Sequence, residues 1–409
     1  MLQELLIVML SRGLQCYSER MCEMLYPIGV QTFETMRERN YVYVDKTDLV
    51  YSLAQEHVCF LSRPRRFGKS LLISTLESYF LGKKELFAGL KIEKLESDWE
   101  KYPVFRIDFA DGNYLEPGFL ERKLEECIAR WEEIYGKNNI YTTLTGRFQY
   151  VLEAAEEKTG NKAVVLIDEY DKPMLDALGT ELEEKNRNIL KGFYGIFKAA
   201  DAYLRFVFLT GVTKFSQISV FSGFNQPNDI SMSSQFEALC GITEQELYQY
   251  FSKPIEEMAD KFGCSTEEMK LLLKNQYDGY HFSNQMLDIY NPFSIINAFN
   301  KKELEDFWFR SGTPTYLVKL LEGHHVNVQK LISQAYASSY FVDYRADAED
   351  PLAMLYQSGY LTIKAYDRKY REYMLDFPNN EVRSGFMTLI ANSYFGDIGE
   401  YPDNWVKNR

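Results

Sequence analysis

Short apolar runs alternate with amphipathic stretches over the first half of the chain. "HVCFLS", ending at Ser62, is a continuous apolar run of the kind that forms a buried strand, and the following "GKSLLISTLESYF" repeats its apolar positions at helical spacing. Ahead of it, "NYVYVDKTDLVYSLAQ" predicts a short alternating strand from Tyr41 to Val44, then a helix capped near Asp45 or Thr47. "VFRIDFA", residues 104–110, reads as another strand, and residues 117–160 read as helical. "KAVVLIDEYDKP" runs apolar from Ala163 to Ile167 and turns acidic at Asp168 and Glu169. A helical stretch to about Ala202 precedes the apolar run "RFVFLTGV". Strands alternating with helices in this way predict an αβα sandwich around a mostly parallel sheet.

Beyond Phe224 the pattern changes. "TEQELYQYF", "STEEMKLLLKNQY" and "PFSIINAFNKKELEDFWF" have helical spacing and few strands intervene. Further on, "DPLAMLYQSGYLTIKAYDRKYREYMLDFP" reads as helix, strand, turn, strand, compatible with a winged-helix-like α+β module. The expected organisation is an extension over 1–25, an α/β domain over 26–225, a helical lid over 226–325, and the winged-helix-like module over 326–409. The second boundary falls near residues 222–236.

A chain of 409 residues with 46% hydrophobic and 15% aromatic content can fill more than one core. Its formal charge of −13 argues against a broadly basic nucleic-acid surface and fits a cytoplasmic one, leaving room only for a local basic patch. Six cysteines without a C-x-x-C pair read as free thiols of a reducing compartment, and four dispersed histidines make no zinc site. No run approaches the ~18 apolar residues that a membrane span requires. "MLQELLIVML" is apolar but carries acidic Glu4 and no A-x-A site, so it lacks the marks of a signal peptide. Met24 is a plausible alternative start.

The candidate chemistry begins at "SRPRRFGKS". The phosphate-loop pattern G-x-x-x-x-G-K-[ST] is met by Gly68, Lys69 and Ser70, with Arg63 in place of the first glycine. Such a loop wraps backbone N–H groups around a phosphate and points a helix N-terminus at it. Gly68 permits close approach, Lys69 reaches the outer phosphates, and the Ser70 hydroxyl serves Mg²⁺. A strand before the motif and a helix after it supply the required context. Asp168, at a strand's carboxyl end, is the candidate partner for Mg²⁺, and Glu169 the candidate base for the attacking water. At the end of the next strand stand Thr210, Thr213 and Lys214, of which one could sense the γ-phosphate; each also reads as part of a polar turn. Arg63, Arg65 and Arg66 either meet phosphate or carboxylate oxygens or are loop charges paired with an acidic surface.

"YPIGVQTF", "YVDKT", "SRPRRFGKS", "VVLIDEYDKP", "TGVTKFS", "YDGYHF", "YNPFS" and "FWFRSGTPTYL" occur in order, and together they resemble the bacterial AAA-ATPase-like family. The resemblance runs from about Tyr26 to the end and implies a P-loop NTPase that binds ATP or ADP with Mg²⁺. It makes Arg63 the family's own form of the loop. The nucleotide contacts it implies run through Arg63, Arg65, Arg66, Phe67, Gly68, Lys69, Ser70 and Leu71, with Thr210 from the neighbouring strand. It is similar to the signalling ATPases in which a lid G-x-P meets the nucleotide, here Gly312 and Pro314. His281 in "YDGYHF" reads as a packed lid residue.

Members of that family commonly carry a PD-(D/E)xK nuclease after the ATPase. Here "FPNNEVRSGF" resembles only the approach to it, so the nuclease region reads as truncated and no DNA cleavage is expected. Glu381, Asp397, Glu400 and Asp403 read as solvated loop charges. The function implied is an ATP-hydrolysing switch that regulates an attached or partner nuclease or effector. Its rivals are a non-hydrolysing scaffold locked around nucleotide, and a DNA-binding regulator using residues 326–385. DNA or a protein effector are the candidate partners of the C-terminal region, and an oligomer is compatible with the family.

Overall fold

The computed structural model describes residues 24–214, 227–311, 328–342 and 351–395. Five strands, β1 (Val58–Ser62), β2 (Val104–Asp108), β3 (Ala163–Asp168), β4 (Leu204–Gly211) and β5 (Asn228–Asp229), form one sheet. Their order is β2-β3-β4-β1-β5 and every pair is parallel. All six residues of β3 are buried, and so are seven of the eight of β4, which explains why these strands read as unbroken apolar runs. Helix Lys69–Phe80 packs on β2 and β3, and helices Phe119–Tyr135, Leu144–Thr159 and Glu181–Tyr194 complete the layers. Aromatics fill much of the interface: Phe148 stacks on Trp131 at 5.1 Å and on Phe193 at 5.3 Å. The chain is an α/β P-loop fold.

Because β4 inserts between β1 and β3, the carboxyl ends of all three converge on the start of helix Lys69–Phe80. That edge is where open α/β sheets place their ligands.

Two expectations change. Tyr41 makes a single bridge to Leu25 and residues 42–46 join no ladder, so the alternating run "YVYV" is extended backbone and not a strand. Its side chains are instead split between two cores, Tyr43 against that of the sheet, Val42 and Val44 against that of the downstream helices. The main sheet also continues past residue 225, since β5 pairs with β1 at Cys59 and Phe60. Polar Asn228 and Asp229 hid that strand from a reading based on apolar runs.

Downstream, helices Glu244–Phe262, Thr266–Tyr277 and Pro292–Lys301 begin at capping residues Thr243, Ser265 and Asn291, whose side chains accept backbone N–H groups of the first turn. Pro254 interrupts the first of them, and Phe251 leaves helical geometry there (φ −127°, ψ 22°). These helices share a core of Leu247, Phe251, Ile255, Leu273 and Phe299, against which Met24 and Tyr26 also pack. Strands β6 (Ile242–Thr243) and β7 (Ile289–Tyr290) clip the ends of this unit together. A last antiparallel sheet, β8 (Ala335–Ala337), β9 (Thr362–Asp367) and β10 (Glu372–Asp376) in the order β8-β10-β9, is accompanied by helices Leu352–Gln357 and Asn380–Phe395. Its Leu352, Leu361 and Ile363 belong to the same continuous core as the parallel sheet.

Glu381 corrects a further reading. It is 1% exposed, in the first turn of helix Asn380–Phe395, and accepts the Trp308 backbone N–H at 2.6 Å and the Ser294 hydroxyl at 2.8 Å. Burial pushes its carboxyl up to about 8 against those two bonds, and Asp278, also buried, is pushed up to about 7. A carboxyl that titrates higher when folded binds more protons folded than unfolded, so stability is lost as pH rises from the ordinary carboxylate range towards the folded value. Unfolding midpoints should therefore fall between about pH 5 and pH 8, by at most ~1.4 kcal/mol per pH unit for each group. Glu381→Gln should flatten that slope; an unchanged slope in a midpoint-against-pH series would show that Glu381 does not carry it. Asp397, Glu400 and Asp403 lie outside the described residues.

Candidate nucleotide-binding site

The loop from β1 to helix Lys69–Phe80 is built by two left-handed residues, Arg66 (φ 68°) and Gly68 (φ 90°). A Cβ placed on Gly68 meets nothing within 4 Å, so the loop is open on the side where a phosphate would approach. Helix Lys69–Phe80 starts immediately after it, and the first-turn N–H groups have no intrahelical partner. Lys69 is 6% exposed, and its ammonium donates to the Arg63 and Pro64 carbonyls, both at 3.0 Å. Those bonds occupy two of its three donors and leave one for a ligand. Burial pulls its titration down, while Glu169 and then Asp168 hold it up.

Asp168 sits at the end of β3, 1% exposed. Its Oδ1 accepts the Glu169 backbone N–H at 3.0 Å, and its Oδ2 is buried with no hydrogen-bond partner among the described residues. Burial raises its pKa, and the nearby Ser70 hydroxyl and the charge of Lys69 oppose that rise. A buried carboxylate oxygen in want of a partner beside a serine hydroxyl is a donor set that suits a hard divalent cation such as Mg²⁺. Glu169 takes a left-handed backbone (φ 49°), which carries its half-buried side chain to the cavity wall. Burial raises its pKa, with Lys69 the largest opposing charge.

Lys69, Ser70 and Glu169 face a cavity of about 400 Å³, bounded by the loop, by segment 27–46, and by Cys240 and Phe293; Asp168 does not line it. That volume lies in the range of small-molecule sites. Arg65, Arg66, Phe67, Gly68, Lys69, Ser70, Leu71 and Glu169 all line it.

Two of the expected contacts, Arg63 and Thr210, do not line the cavity. Arg63, 1% exposed, donates to the Ser62 and Ser231 carbonyls at 2.9 and 2.7 Å, lies 4.0 Å from the Phe282 ring centre, and does not line the cavity. Its guanidinium ties the sheet edge to "YDGYHF", which is what an arginine fork can do and a glycine cannot. The Phe67 ring packs edge-on against Tyr280 at 4.8 Å, and the residue still lines the cavity. The Thr210 hydroxyl is committed to the Leu61 carbonyl at 2.9 Å, between the strands. Thr213 donates its hydroxyl to Asp171 at 2.7 Å, and Lys214 pairs with Asp229 at 2.7 Å. His281 is buried, bonded to Asp288 at 2.7 Å and to the Ile363 carbonyl at 2.6 Å, and does not reach the cavity. Gly312 and Pro314 lie outside the described residues.

The loop is held by side chains far along the sequence. Arg65 accepts the Trp308 indole N–H at 3.1 Å, Arg66 lies over Phe293 with its guanidinium 4.8 Å from the ring centre, and Pro64 abuts Gly359 so closely that a Cβ there would come within 2.7 Å. Trp308→Phe keeps the ring and removes the N–H. Loss of one such bond is worth about 0.5–1.5 kcal/mol, so nucleotide affinity should drop about 2- to 10-fold. An unchanged affinity in a titration would mean that this bond does not shape the loop.

Two residues were not singled out from the sequence. Asp171 is fully buried and accepts the Val212 N–H (3.0 Å) and the Thr213 N–H (2.6 Å), fixing the end of β4 beside Asp168. Its signal was a third carboxylate in "IDEYD". Lys46, in the cavity wall, is the one cation in the run "YVYVDKTDLVYSLA".

A sequence profile of the predicted AAA-ATPase family matches residues 27–221. An uncharacterized protein in the vnfD 5′ region of Azotobacter chroococcum mcd 1 is 36% identical over 374 residues, covering 90% of this chain and 70% of that protein. Among solved structures, the Aeropyrum pernix ORC1 protein in complex with DNA aligns at 9% identity over 87% of this chain and 94% of that one, with a TM-score of 0.26. The ORC2 protein of the same organism, in ADPNP–ADP complexes, aligns at 11% identity over 88% and 93%, with a TM-score of 0.30.

Proposed function

The chain belongs to the predicted AAA-ATPase family, and from that premise we propose that it binds ATP in the cavity at its phosphate loop, hydrolyses it, and passes the nucleotide state to its downstream parts. The observation that carries the reading is the convergence of Lys69, Ser70, Asp168 and Glu169 on one open loop at the carboxyl edge of the sheet. In this reading the backbone N–H groups after Gly68 and the spare donor of Lys69 hold the phosphates. Ser70 and Asp168 would hold Mg²⁺, which when bound neutralises charge on the phosphate oxygens. Glu169 accepts a proton from the attacking water, and its burial brings its basicity closer to that task.

The output runs to an effector, a nuclease or other protein attached to or partnered by the C-terminal region. What supports this is that Pro64, Arg65 and Arg66 each touch Gly359, Trp308 or Phe293, so a phosphate that reshapes the loop must disturb the lid and the last module. The test is phosphate release from ATP and Mg²⁺ by the purified chain. Sustained turnover supports the switch. Tight nucleotide binding without turnover would support a scaffold instead.

A further inference from the structure

Segment 27–46 carries a second buried lysine into the wall of the same cavity. Lys46 is 8% exposed, and its backbone is pinned on both sides. Asp45 accepts the Thr47 N–H and hydroxyl at 2.9 and 2.7 Å through one oxygen and the Lys91 N–H at 2.8 Å through the other. The Asp45 N–H donates to the Tyr250 hydroxyl at 3.3 Å. A lysine ammonium has three N–H donors. That of Lys46 finds one hydrogen-bond acceptor among the described residues, Glu246 Oε2 at 2.5 Å. The same carboxylate oxygen accepts the Thr243 N–H and hydroxyl, both at 2.9 Å, and so completes the capping box that starts helix Glu244–Phe262.

The ion pair neutralises the charge and leaves two of the ammonium's three donors to the cavity that Lys46 lines. No basic group at the surface needs such a setting; one built to meet oxygen atoms inside the cavity does.

We propose that Lys46 is a second nucleotide contact, donating its spare N–H groups to oxygens of the phosphate chain or the ribose, and that its pairing with Glu246 ties occupancy of the cavity to the cap of helix Glu244–Phe262. This rests on the reading of the cavity as a nucleotide site. Binding then changes the company of one carboxylate that holds the first turn of helix Glu244–Phe262.

The experiment is calorimetric titration of the full chain with ATP, ADP and adenosine, for the wild type, Lys46→Gln, Glu246→Gln and the double variant. Lys46→Gln should weaken ATP about tenfold or more, the loss expected for a charge-assisted hydrogen bond. A loss confined to ATP and ADP assigns the contact to phosphate, and an equal loss with adenosine assigns it to ribose. The double variant leaves no stranded carboxylate and should show the same loss, which guards against a folding defect in the single one. Glu246→Gln keeps the lysine and should bind ATP as well as the wild type. It should lose the ATP-dependent protection of amides in helix Glu244–Phe262 measured by hydrogen exchange. Unchanged affinity in Lys46→Gln overturns the proposal, as does an equal loss in Glu246→Gln, which would reduce the pair to a structural tie. If Lys69→Ala weakens binding and Lys46→Gln does not, only this inference fails; if neither does, the nucleotide site itself fails.

Discussion

Lys69→Ala should weaken ATP binding about 10- to 150-fold, the range set by a charge-assisted hydrogen bond of about 1.5–3 kcal/mol. The upper part of the range is favoured here, because the ammonium has two tasks. It supplies the donor left for phosphate, and it ties the Arg63 and Pro64 carbonyls together at 3.0 Å each, which holds the first half of the loop in shape. Alanine removes both. The fold should survive, since Arg63, Pro64 and Phe67 keep their own contacts to Ser231, Gly359 and Tyr280. Displacement of a fluorescent ATP analogue checks the affinity. Equal binding by the variant and the wild type would remove Lys69 from the site.

Glu169→Gln should leave ATP binding within a few-fold of the wild type and slow turnover at least ~10²-fold, within the usual contribution of a general base. The substitution is close to isosteric, so the left-handed backbone at φ 49° stays, along with its cost of roughly 1–3 kcal/mol. A residue held in that conformation between a buried strand end and Tyr170 is fixed by its surroundings, so the amide should occupy the carboxylate's place. What changes is the ability to accept a proton. Burial raises the basicity of Glu169, and the charge of nearby Lys69 opposes that rise. Phosphate release under saturating ATP checks the result, and equal rates would mean that the water is activated by another group.

The parts of this molecule that can be read from the sequence are those where one local rule decides the outcome. Buried parallel strands show as apolar runs, and β1, β3 and β4 follow from "VCFLS", "AVVLID" and "RFVFLTG". A strand followed by "FGKS" and a helix fixes the loop's position, and an acidic pair at a strand end fixes where Asp168 stands. Other features depend on distant partners and leave no such mark. Arg63 looks like a phosphate ligand because it stands in a phosphate loop, yet besides neighbouring Ser62 its acceptors are Ser231 and Phe236, far along the chain. Glu381 looks solvated because its neighbours are polar, yet Ser294 and Trp308 enclose it. The segment "YVYV" alternates like a strand because its two sides face two different cores. Lys46 offers one cation in an apolar run, and nothing local says that the run lines a cavity. Contacts between parts of the chain far apart in sequence govern each of these, and periodicity carries no information about them.

A crystal structure of the chain grown with Mg²⁺ and a non-hydrolysable ATP analogue decides whether the loop holds nucleotide. The phosphates should lie in the loop between Arg63 and Ser70, with the Lys69 ammonium and the first N–H groups of helix Lys69–Phe80 within hydrogen-bond distance, Asp168 and Ser70 around the metal, and the nucleoside in the cavity beside segment 27–46. A loop that stays empty at saturating nucleotide, or a nucleotide bound elsewhere on the chain, would contradict it.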